Sequence, residues 1–339
     1  MSNIVIITGG GTGGHLSVAK SFIEEYYKLG FKVIFIGSSN GQDKQWFGTE
    51  TKLYKSYFFD TRGVVNQNLL GKLKSLFLIF RAVLKSALII KTNGVKKVIS
   101  VGGFSAASTS IAAGITRTDF YIHEQNSVMG KLNKLSSKWA KEIFSSYLQS
   151  SKVKDYPINK KYFEHSRIRK STNCIIFLGG SQGATAINNF AIKVAPTLNK
   201  LNIKIIHQTG KNDFINIKKQ YKELNIDADV FDFSKNLLEK MEEADFAVSR
   251  AGASTLWELV ALGIPTLFIP YPYAAANHQY HNAKYLSESE LCYLKYEDEL
   301  TSEYLIDTIK KDTSKISKNL IDSIKKDSIK NIIHIINTN

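Results

Sequence analysis

The chain has 339 residues, of which 43% are hydrophobic and 22% charged, with two cysteines and a formal net charge of +15 at pH 7. This length predicts two domains of about 150 residues each. The ordinary composition excludes a disordered, collagen-like or disulfide-rich chain. Cys174 and Cys292 belong to no Cys-x-x-Cys pair, so the sequence predicts no zinc site and favours a reducing cytoplasm. The N-terminus shows no basic segment of the kind that opens a signal peptide.

The first half of the chain alternates apolar runs with a helical pattern. Strands are predicted at residues 3–8, 31–37, 96–102 and 120–126, and a helix at residues 15–30. Such alternation is typical of βαβ units with a mostly parallel sheet.

A glycine-rich turn, TGGGTGGHL at residues 8–16, joins the first strand to the first helix. Its glycines match the G-x-G-x-x-G dinucleotide pattern, which also requires an acidic residue near the end of the second strand. That strand ends in Gly-Ser-Ser (37–39), so the turn predicts a phosphate-like anion rather than a nicotinamide or flavin cofactor. A turn that only lets strand and helix pack is the alternative. His15, at the end of the turn, could take up a proton near neutral pH.

Residues 61–118 contain no acidic residue and nine basic ones, and residues 68–92 form an apolar helical pattern within them. One stripe of this helix is expected to face the core: Leu69, Leu73, Leu76, Phe80, Val83, Leu84 and Ala87. The remaining basic and apolar residues of this helix predict a surface that lies on an anionic membrane. The predicted membrane-binding patch consists of Lys74, Phe77, Leu78, Arg81 and Lys85. A transmembrane helix is disfavoured, since each mid-run charge costs about 2.5–3.5 kcal/mol at a bilayer centre. A buried helix with long basic side chains remains the alternative.

The second half repeats the strand–glycine turn–helix arrangement, at residues 173–198. Further strands are expected at residues 203–210, 228–233, 244–252 and 264–272, and the last forty residues look helical and lysine-rich. The pattern predicts a second doubly wound domain, with the boundary in the charged stretch 150–173. Asp227 and Asp229 have the D-x-D spacing of metal-dependent transferases, which we interpret as chance because they lead into a strand.

Two more small-residue turns in this half open helices and so suit anions. The first, at residues 178–184, contains Ser181 but lacks the Lys-[Ser/Thr] of an ATP-binding loop. The second, at residues 252–255, precedes Glu258 by one helical turn, where a carboxylate can accept from a ribose diol. Amide-rich segments at residues 123–127 and 271–286 suit sugar hydroxyls.

Seven motifs, in order and at matching spacing, resemble the MurG family of bacterial cell-wall glycosyltransferases. They are GGGTGGH, GGF (102–104), HEQN, GGSQGA, HQTGK (207–211), SRAGASTLWE and NHQYHNA, and they span nearly the whole chain. The resemblance implies an α/β GT-B fold: two Rossmann-like doubly wound domains with the active site in the cleft between them. The implied domains are residues 1–155 with a C-terminal helix at about 318–339, which bind acceptor and membrane, and residues 165–317, which bind UDP-GlcNAc.

The resemblance also implies the reaction: inverting, metal-free and cofactor-free transfer of GlcNAc from UDP-GlcNAc to the C4 hydroxyl of MurNAc in lipid I. His15 and Glu124 are the catalytic candidates. The donor would contact Thr12, Gly13, Gly14, Asn126, Ser181, Gly183, Phe233, Ser234, Arg250, Ala253, Ser254, Thr255, Glu258, His278 and Gln279. The acceptor diphosphate would contact Gly11, Thr12, Gly14, His15, Gly103 and Phe104.

The expected partners are UDP-GlcNAc, lipid I and an anionic membrane surface, with other cell-wall proteins possible and no nucleic acid, since no nucleic-acid motif is visible. The expected location is peripheral, on the cytoplasmic face of the bacterial inner membrane. Three alternatives stay open: a glycolipid glycosyltransferase, a UDP-GlcNAc 2-epimerase, and a non-catalytic nucleotide-sugar-binding membrane adaptor.

Overall fold

The computed structural model describes residues 3–63, 68–180, 182–234 and 236–338, apart from the side chain of Leu69. The chain forms two compact units. Unit 1 consists of residues 1–158 and 327–339, and unit 2 consists of residues 159–326.

Unit 1 alternates strands and helices along the chain. Its elements are β1 (Ile4–Thr8), α1 (Gly13–Lys28), β2 (Lys32–Ser38), α2 (Asp43–Phe47), β3 (Lys55–Phe59), α3 (Leu69–Thr92), β4 (Lys97–Ser100), α4 (Ala107–Thr116), β5 (Asp119–His123), α5 (Lys131–Ser136) and β6 (Glu142–Phe144). All strand pairs are parallel, in the order β3-β2-β1-β4-β5-β6.

Unit 2 repeats this plan. Its elements are α6 (Lys160–Glu164), β7 (Cys174–Leu178), α7 (Thr185–Lys200), β8 (Lys204–Gln208), α8 (Phe214–Glu223), β9 (Ala228–Phe231), α9 (Leu237–Glu243), β10 (Phe246–Ser249), α10 (Ala253–Leu262), β11 (Thr266–Phe268), α11 (His278–Ser287), β12 (Tyr293–Leu294), α12 (Ser302–Ile309) and α13 (Ser314–Asp322). Its parallel sheet has the order β12-β11-β10-β7-β8-β9. The two sheets confirm the predicted pair of Rossmann-like domains.

The last helix, α14 (Ser328–Thr338), returns to unit 1. The hydroxyl of Tyr121 donates to the Ile336 carbonyl at 3.4 Å, and Lys97 donates to the same oxygen. The sequence predicted one helical region from about residue 318, whereas the structure divides it into α13, in unit 2, and α14.

Both sheets reverse their strand order between two central strands. In unit 1 these are β1 and β4, and in unit 2 they are β7 and β10. Ligands of doubly wound sheets bind outside the carboxyl ends of the strands at such a switch point. Four of the five glycine-containing motifs follow these four strands, so the fold brings these four together in pairs.

Helix α3 contradicts much of the predicted core stripe, although Val83 of that stripe is buried and Ala87 packs against the core. Large residues of that stripe are more than half exposed: Leu73, Leu76, Phe80 and Leu84. The buried face consists mainly of smaller side chains, Ser75, Ala82, Val83, Ser86 and Ile90, and Ser86 approaches the Thr109 hydroxyl of α4 at 3.3 Å. Small side chains let the two helices pack closely, which leaves the larger ones outside. Within the described residues, no helix combines the length and apolarity that crossing a membrane requires.

Candidate functional site

The glycine turn after β1 has a backbone conformation that favours glycine. Gly9 and Gly11 have φ angles of 118° and 86°. A second glycine pair packs onto this turn: a Cβ atom on Gly103 would lie 2.1 Å from the Gly10 carbonyl oxygen, and the Gly10 N–H donates to the Gly102 carbonyl at 3.0 Å. Gly9 and Gly103 are therefore required by backbone-to-backbone contact.

Helix α1 begins inside this turn, with Gly13 and Gly14 in its first turn and no acidic residue there. The first N–H groups of a helix lack an intrahelical acceptor and attract anions. The hydroxyl of Thr12, the N-cap residue, lies 2.9 Å from Nδ1 of His15 instead of capping the helix. The ring of His15 also lies against Gly102, 3.4 Å from the position of a Cβ atom there. The turn thus combines helix N–H groups, a hydroxyl and an imidazole.

Two side chains flank Gly11. The Phe104 ring covers it so closely that a Cβ on Gly11 would lie 2.5 Å from Cε1. On another side, Oδ1 of Asp43 accepts the Gly11 N–H at 2.6 Å, and Oδ2 accepts the Ser38 N–H at 2.8 Å. This N–H was expected to face the acceptor diphosphate, but Asp43 already occupies it. The candidate anion site therefore begins after Gly11.

Asp43 escaped the sequence reasoning, which looked for an acid at the end of β2 in the role of a ribose ligand. The carboxylate stands further on, at the first residue of α2, and is fully buried. The signal that could have identified it is an aspartate that opens a helix directly after a glycine-rich loop.

Glu124 anchors the loop between β5 and α5. Its Oε1 accepts the Asn126 N–H at 3.0 Å, while Oε2 accepts the Gly130 N–H at 3.0 Å and the Asn133 amide at 2.8 Å. That amide nitrogen lies 3.1 Å from the position of a Cβ on Gly102, the residue that His15 also contacts. Because both carboxylate oxygens already accept hydrogen bonds from the protein, these contacts favour a positioning role for Glu124 over proton transfer.

His123 precedes Glu124 and lies buried between the rings of Phe22 and Tyr156. Burial, with a smaller contribution from His15, lowers the pKa of His123 to about 3. His123 therefore stays neutral near pH 7.

In unit 2, the turn at residues 179–184 resembles the first one in its chemistry. Gly180 and Gly183 have φ angles of 77° and 80°, and a Cβ on Gly183 would lie 2.5 Å from the Thr209 carbonyl oxygen. Helix α7 begins just after this turn. Ser181, the predicted diphosphate contact, lies outside the described residues.

The N-terminus of helix α10 is the second candidate anion-binding site of unit 2. Its N-cap is Gly252, which has no side chain to cap the helix, and its first turn contains no acidic residue. Ala253 and Ser254 are buried and Thr255 is half-buried. With no capping side chain and no acidic residue in this turn, the first N–H groups of α10 attract anions.

Arg250 has protein partners for its guanidinium. Nη1 donates to the carbonyls of Ile269 and Pro270, each at 3.0 Å, and Nη2 pairs with Glu297. The guanidinium also lies over the Tyr271 ring, 5.5 Å from its centre. These contacts brace the loop after β11 and favour a structural role for Arg250 over direct contact with the donor.

Glu258 lies one turn inside α10 and forms a hydrogen bond with Tyr162 of α6. Burial raises the pKa of Glu258 to about 8, and the hydrogen bond from Tyr162 opposes this shift. Near neutral pH the predicted ribose ligand is therefore mostly protonated. Tyr162 is a second residue that the sequence reasoning missed, because it lies in the charged boundary stretch.

The predicted sugar-binding segment forms a strained turn before α11. Ala276 and Asn277 have φ angles of 51° and 52°, in the left-handed region that non-glycine residues rarely adopt. Oε1 of Gln279 accepts the Tyr271 N–H at 3.0 Å, and Nδ1 of His278 lies 2.8 Å from the Ala275 carbonyl oxygen. Gln279 thus holds the same loop that Arg250 braces.

The predicted uracil-binding segment follows β9. Phe233 is exposed, and the Ser234 hydroxyl accepts the Asn236 N–H at 3.1 Å. Asp229, of the D-x-D pair, forms an ion pair with Lys240. Within the described ranges, no three His, Cys, Asp or Glu side chains cluster so that they could hold a metal ion.

Comparisons with known proteins agree with this geometry. A model of the glycosyltransferase family 28 N-terminal domain matches residues 5–145, and a model of the C-terminal domain matches residues 174–336. A protein of Sulfurovum sp. (strain NBC37-1) is 48% identical over 308 residues, 91% of this chain and 90% of its own. Its name is UDP-N-acetylglucosamine--N-acetylmuramyl-(pentapeptide) pyrophosphoryl-undecaprenol N-acetylglucosamine transferase.

Solved structures share the fold. MurG of Acinetobacter baumannii superposes with a TM-score of 0.79 at 24% identity over 99% of both chains. A UDP-GlcNAc 2-epimerase of Neisseria meningitidis has a TM-score of 0.67 at 11% identity, over 99% of this chain and 100% of its own. The structural similarity establishes the fold alone, whereas the sequence matches establish membership of the family. They confirm the resemblance that the motifs indicated: this chain belongs to the MurG family of glycosyltransferases, within glycosyltransferase family 28.

Proposed function

We propose that this chain transfers GlcNAc from UDP-GlcNAc to the C4 hydroxyl of MurNAc in undecaprenyl-pyrophosphoryl-MurNAc-pentapeptide (lipid I), with inversion at the sugar C1. The observation that carries the proposal is the 48% identity, across 91% of the chain, to a relative named for this transfer. The two glycine turns and the N-terminus of α10 supply the anion sites that two diphosphate substrates require.

The donor binds to unit 2. The first turn of α10, Ala253–Thr255, holds the diphosphate together with the 179–184 turn, where Ser181 and Gly183 lie. Glu258 accepts from the ribose hydroxyls, and Phe233 with Ser234 lines the uracil site. In unit 2, the amide side chain of Gln279 reads the sugar, with His278 as its neighbour in the chain.

The acceptor diphosphate binds at the N-terminus of α1. Gly13 and Gly14 offer backbone N–H groups there, and Thr12 offers its hydroxyl. Gly103 contributes by close packing, and the Phe104 ring forms a wall over Gly11.

His15 is the base of the reaction. In the tautomer in which Nδ1–H donates to the Thr12 hydroxyl, 2.9 Å away, Nε2 carries the lone pair. The muramyl C4 oxygen attacks C1 of GlcNAc, its proton passes to Nε2, and the bond from C1 to the UDP oxygen breaks. The charge that develops on UDP is stabilised by helix N–H groups, which are fixed before the reaction begins.

The exposed face of α3 binds the membrane that contains the acceptor, from its cytoplasmic side. Lys74, Phe77, Arg81 and Lys85 are exposed on it and Leu78 is half-buried. Exposed apolar residues surround them: Leu70, Leu73, Leu76, Phe80, Leu84 and Leu88. Monomeric soluble proteins rarely expose apolar patches of this extent, and basic residues beside such a patch favour anionic headgroups.

Incubation with UDP-GlcNAc and a soluble lipid I analogue tests the proposal. We expect UDP release that depends on the analogue. Release of UDP with free ManNAc, without acceptor, would identify an epimerase instead. Binding of UDP-GlcNAc without transfer to the analogue or to any glycolipid acceptor would identify an adaptor.

A further inference from the structure

Asp43 is a buried carboxylate to which the mechanism above gives no task. It opens the short helix α2 and is completely shielded from solvent. An ionised carboxylate in such a place is costly unless hydrogen bonds compensate for the lost water. Its compensation comes from two backbone N–H groups, those of Gly11 and Ser38, at 2.6 and 2.8 Å.

The glycines around Asp43 form a space that fits this carboxylate. A Cβ on Gly10 would lie 2.6 Å from Oδ1, and a Cβ on Gly37 would lie 2.7 Å from Oδ2. Both are closer than side-chain contacts allow, so a side chain at either position would collide with the carboxylate. The carboxylate thus joins the end of β2 to the turn after β1.

We propose that Asp43 is a positioning residue for the acceptor: it fixes the peptide of Gly11, and through it the orientation of Thr12 and His15. Gly11 is the last residue before the N-cap of α1, so its orientation sets where the first N–H groups of that helix point. Because the carboxylate occupies the Gly11 N–H, it also confines the incoming anion to the N–H groups that follow. This inference rests on the proposed acceptor role of the turn.

Asp43→Asn tests the proposal, because the amide can accept from only one of the two N–H groups and opposes the other with a donor. We expect kcat/KM for a lipid I analogue to fall at least tenfold at saturating UDP-GlcNAc. The KM for UDP-GlcNAc and the Kd for UDP, which report on unit 2, should change less than twofold. Asp119→Asn, at the amino end of β5 and half-buried in unit 1, is the matched control and should leave all three values unchanged.

Gly41→Ala is a second variant that keeps the buried carboxylate in place, in case Asp43→Asn does not fold. Gly41 is exposed, and a Cβ there would press on Gly11, 3.2 Å from its Cα and 3.6 Å from Oδ1 of Asp43. We expect a several-fold lower kcat/KM for the acceptor with an unchanged donor KM. If Asp43→Asn folds and its kcat/KM for the acceptor is normal, the proposal is overturned. If Asp43→Asn does not fold, a normal kcat/KM for the acceptor in Gly41→Ala overturns it. Absence of transfer by the unmodified protein would instead overturn the proposed function.

Discussion

His15 is held by contacts on two sides, which suits a residue that must present one nitrogen to a substrate. The Thr12 hydroxyl engages Nδ1 at 2.9 Å, and the ring rests on the backbone of Gly102. A glycine is favoured there by its φ angle of 86°, and a Cβ atom would lie 3.4 Å from the imidazole ring.

We therefore expect His15→Ala to lower kcat by about a hundred- to ten-thousandfold, the range for loss of a general base. The Kd for UDP should remain unchanged, since the proposed donor diphosphate site lies in unit 2. His165→Ala, which removes a solvent-exposed imidazole paired with Glu242, serves as control. Turnover of His15→Ala close to that of the unmodified protein would exclude the catalytic role.

Glu258 predicts a pH dependence of donor binding. Its pKa of about 8 means that the carboxyl group is mostly protonated at pH 7 and ionises as the pH rises. A carboxylate can accept hydrogen bonds from both ribose hydroxyls. In the protonated acid, one oxygen carries a hydrogen and acts as a donor instead. UDP affinity should therefore rise from about pH 7 to about pH 9, by at most roughly tenfold in total over this range.

Isothermal titration with UDP across this range measures the effect. Glu258→Gln is the control, since its amide does not titrate, and it should bind UDP more weakly with a flat pH profile. An identical pH profile in Glu258→Gln would show that another group is responsible.

The residues of the site differ in how far the sequence could predict them. Gly103 and His15 were predicted from motif spacing, because backbone crowding at a turn leaves a local pattern of glycines. Asp43 and Tyr162 were not, since their partners are distant in sequence and only the fold brings them together. The motif identified Arg250 as a candidate donor contact, but it could not predict that its guanidinium donates to the carbonyls of Ile269 and Pro270.

At the scale of elements, α3 shows why an apolar pattern alone does not identify the buried face of a helix. The predicted core stripe contained large side chains such as Leu73, Leu76 and Phe80, yet close approach to α4 selects small ones. The same geometry that buries Ser86 and Ala82 exposes leucines and phenylalanines on the opposite face.

A pair of substitutions on α3 tests this orientation. Ser86→Leu inserts a large side chain into the packed contact with α4 and should destabilise the protein by about 1–3 kcal/mol. Leu84→Ser changes an exposed position and should alter stability by no more than about 0.5 kcal/mol. Thermal unfolding followed by circular dichroism measures both, and the reverse ranking would contradict the observed orientation.

The membrane surface makes a separate prediction. Arg81→Glu combined with Lys85→Glu should weaken binding to vesicles that contain anionic lipid by at least about tenfold, since each basic residue contributes about 1 kcal/mol. Transfer to a soluble acceptor analogue should be unaffected. The matched control, Lys218→Glu with Lys219→Glu on α8, reverses two exposed charges in unit 2. Equal vesicle binding by both double variants would exclude α3 as the membrane surface.

At the scale of the whole molecule, two sheets with the same strand order each place two motifs at a switch point. This much followed from the sequence, because strand, turn and helix alternate with clear local signals. Three short strands, β3, β6 and β12, gave no such signal and are defined only by pairing with a neighbour. The return of α14 to unit 1 was only partly predicted from the sequence, because α13 and α14 were predicted as one helical region.

The stereochemistry of the product tests the central claim most directly. The purified protein would be incubated with UDP-GlcNAc, whose sugar is α-linked, and a lipid I analogue, and the product analysed by NMR. We predict a single GlcNAc on the muramyl C4 oxygen in β linkage, with one UDP released for each sugar transferred. An α-linked sugar, another attachment site, or free ManNAc in place of a disaccharide would contradict the account.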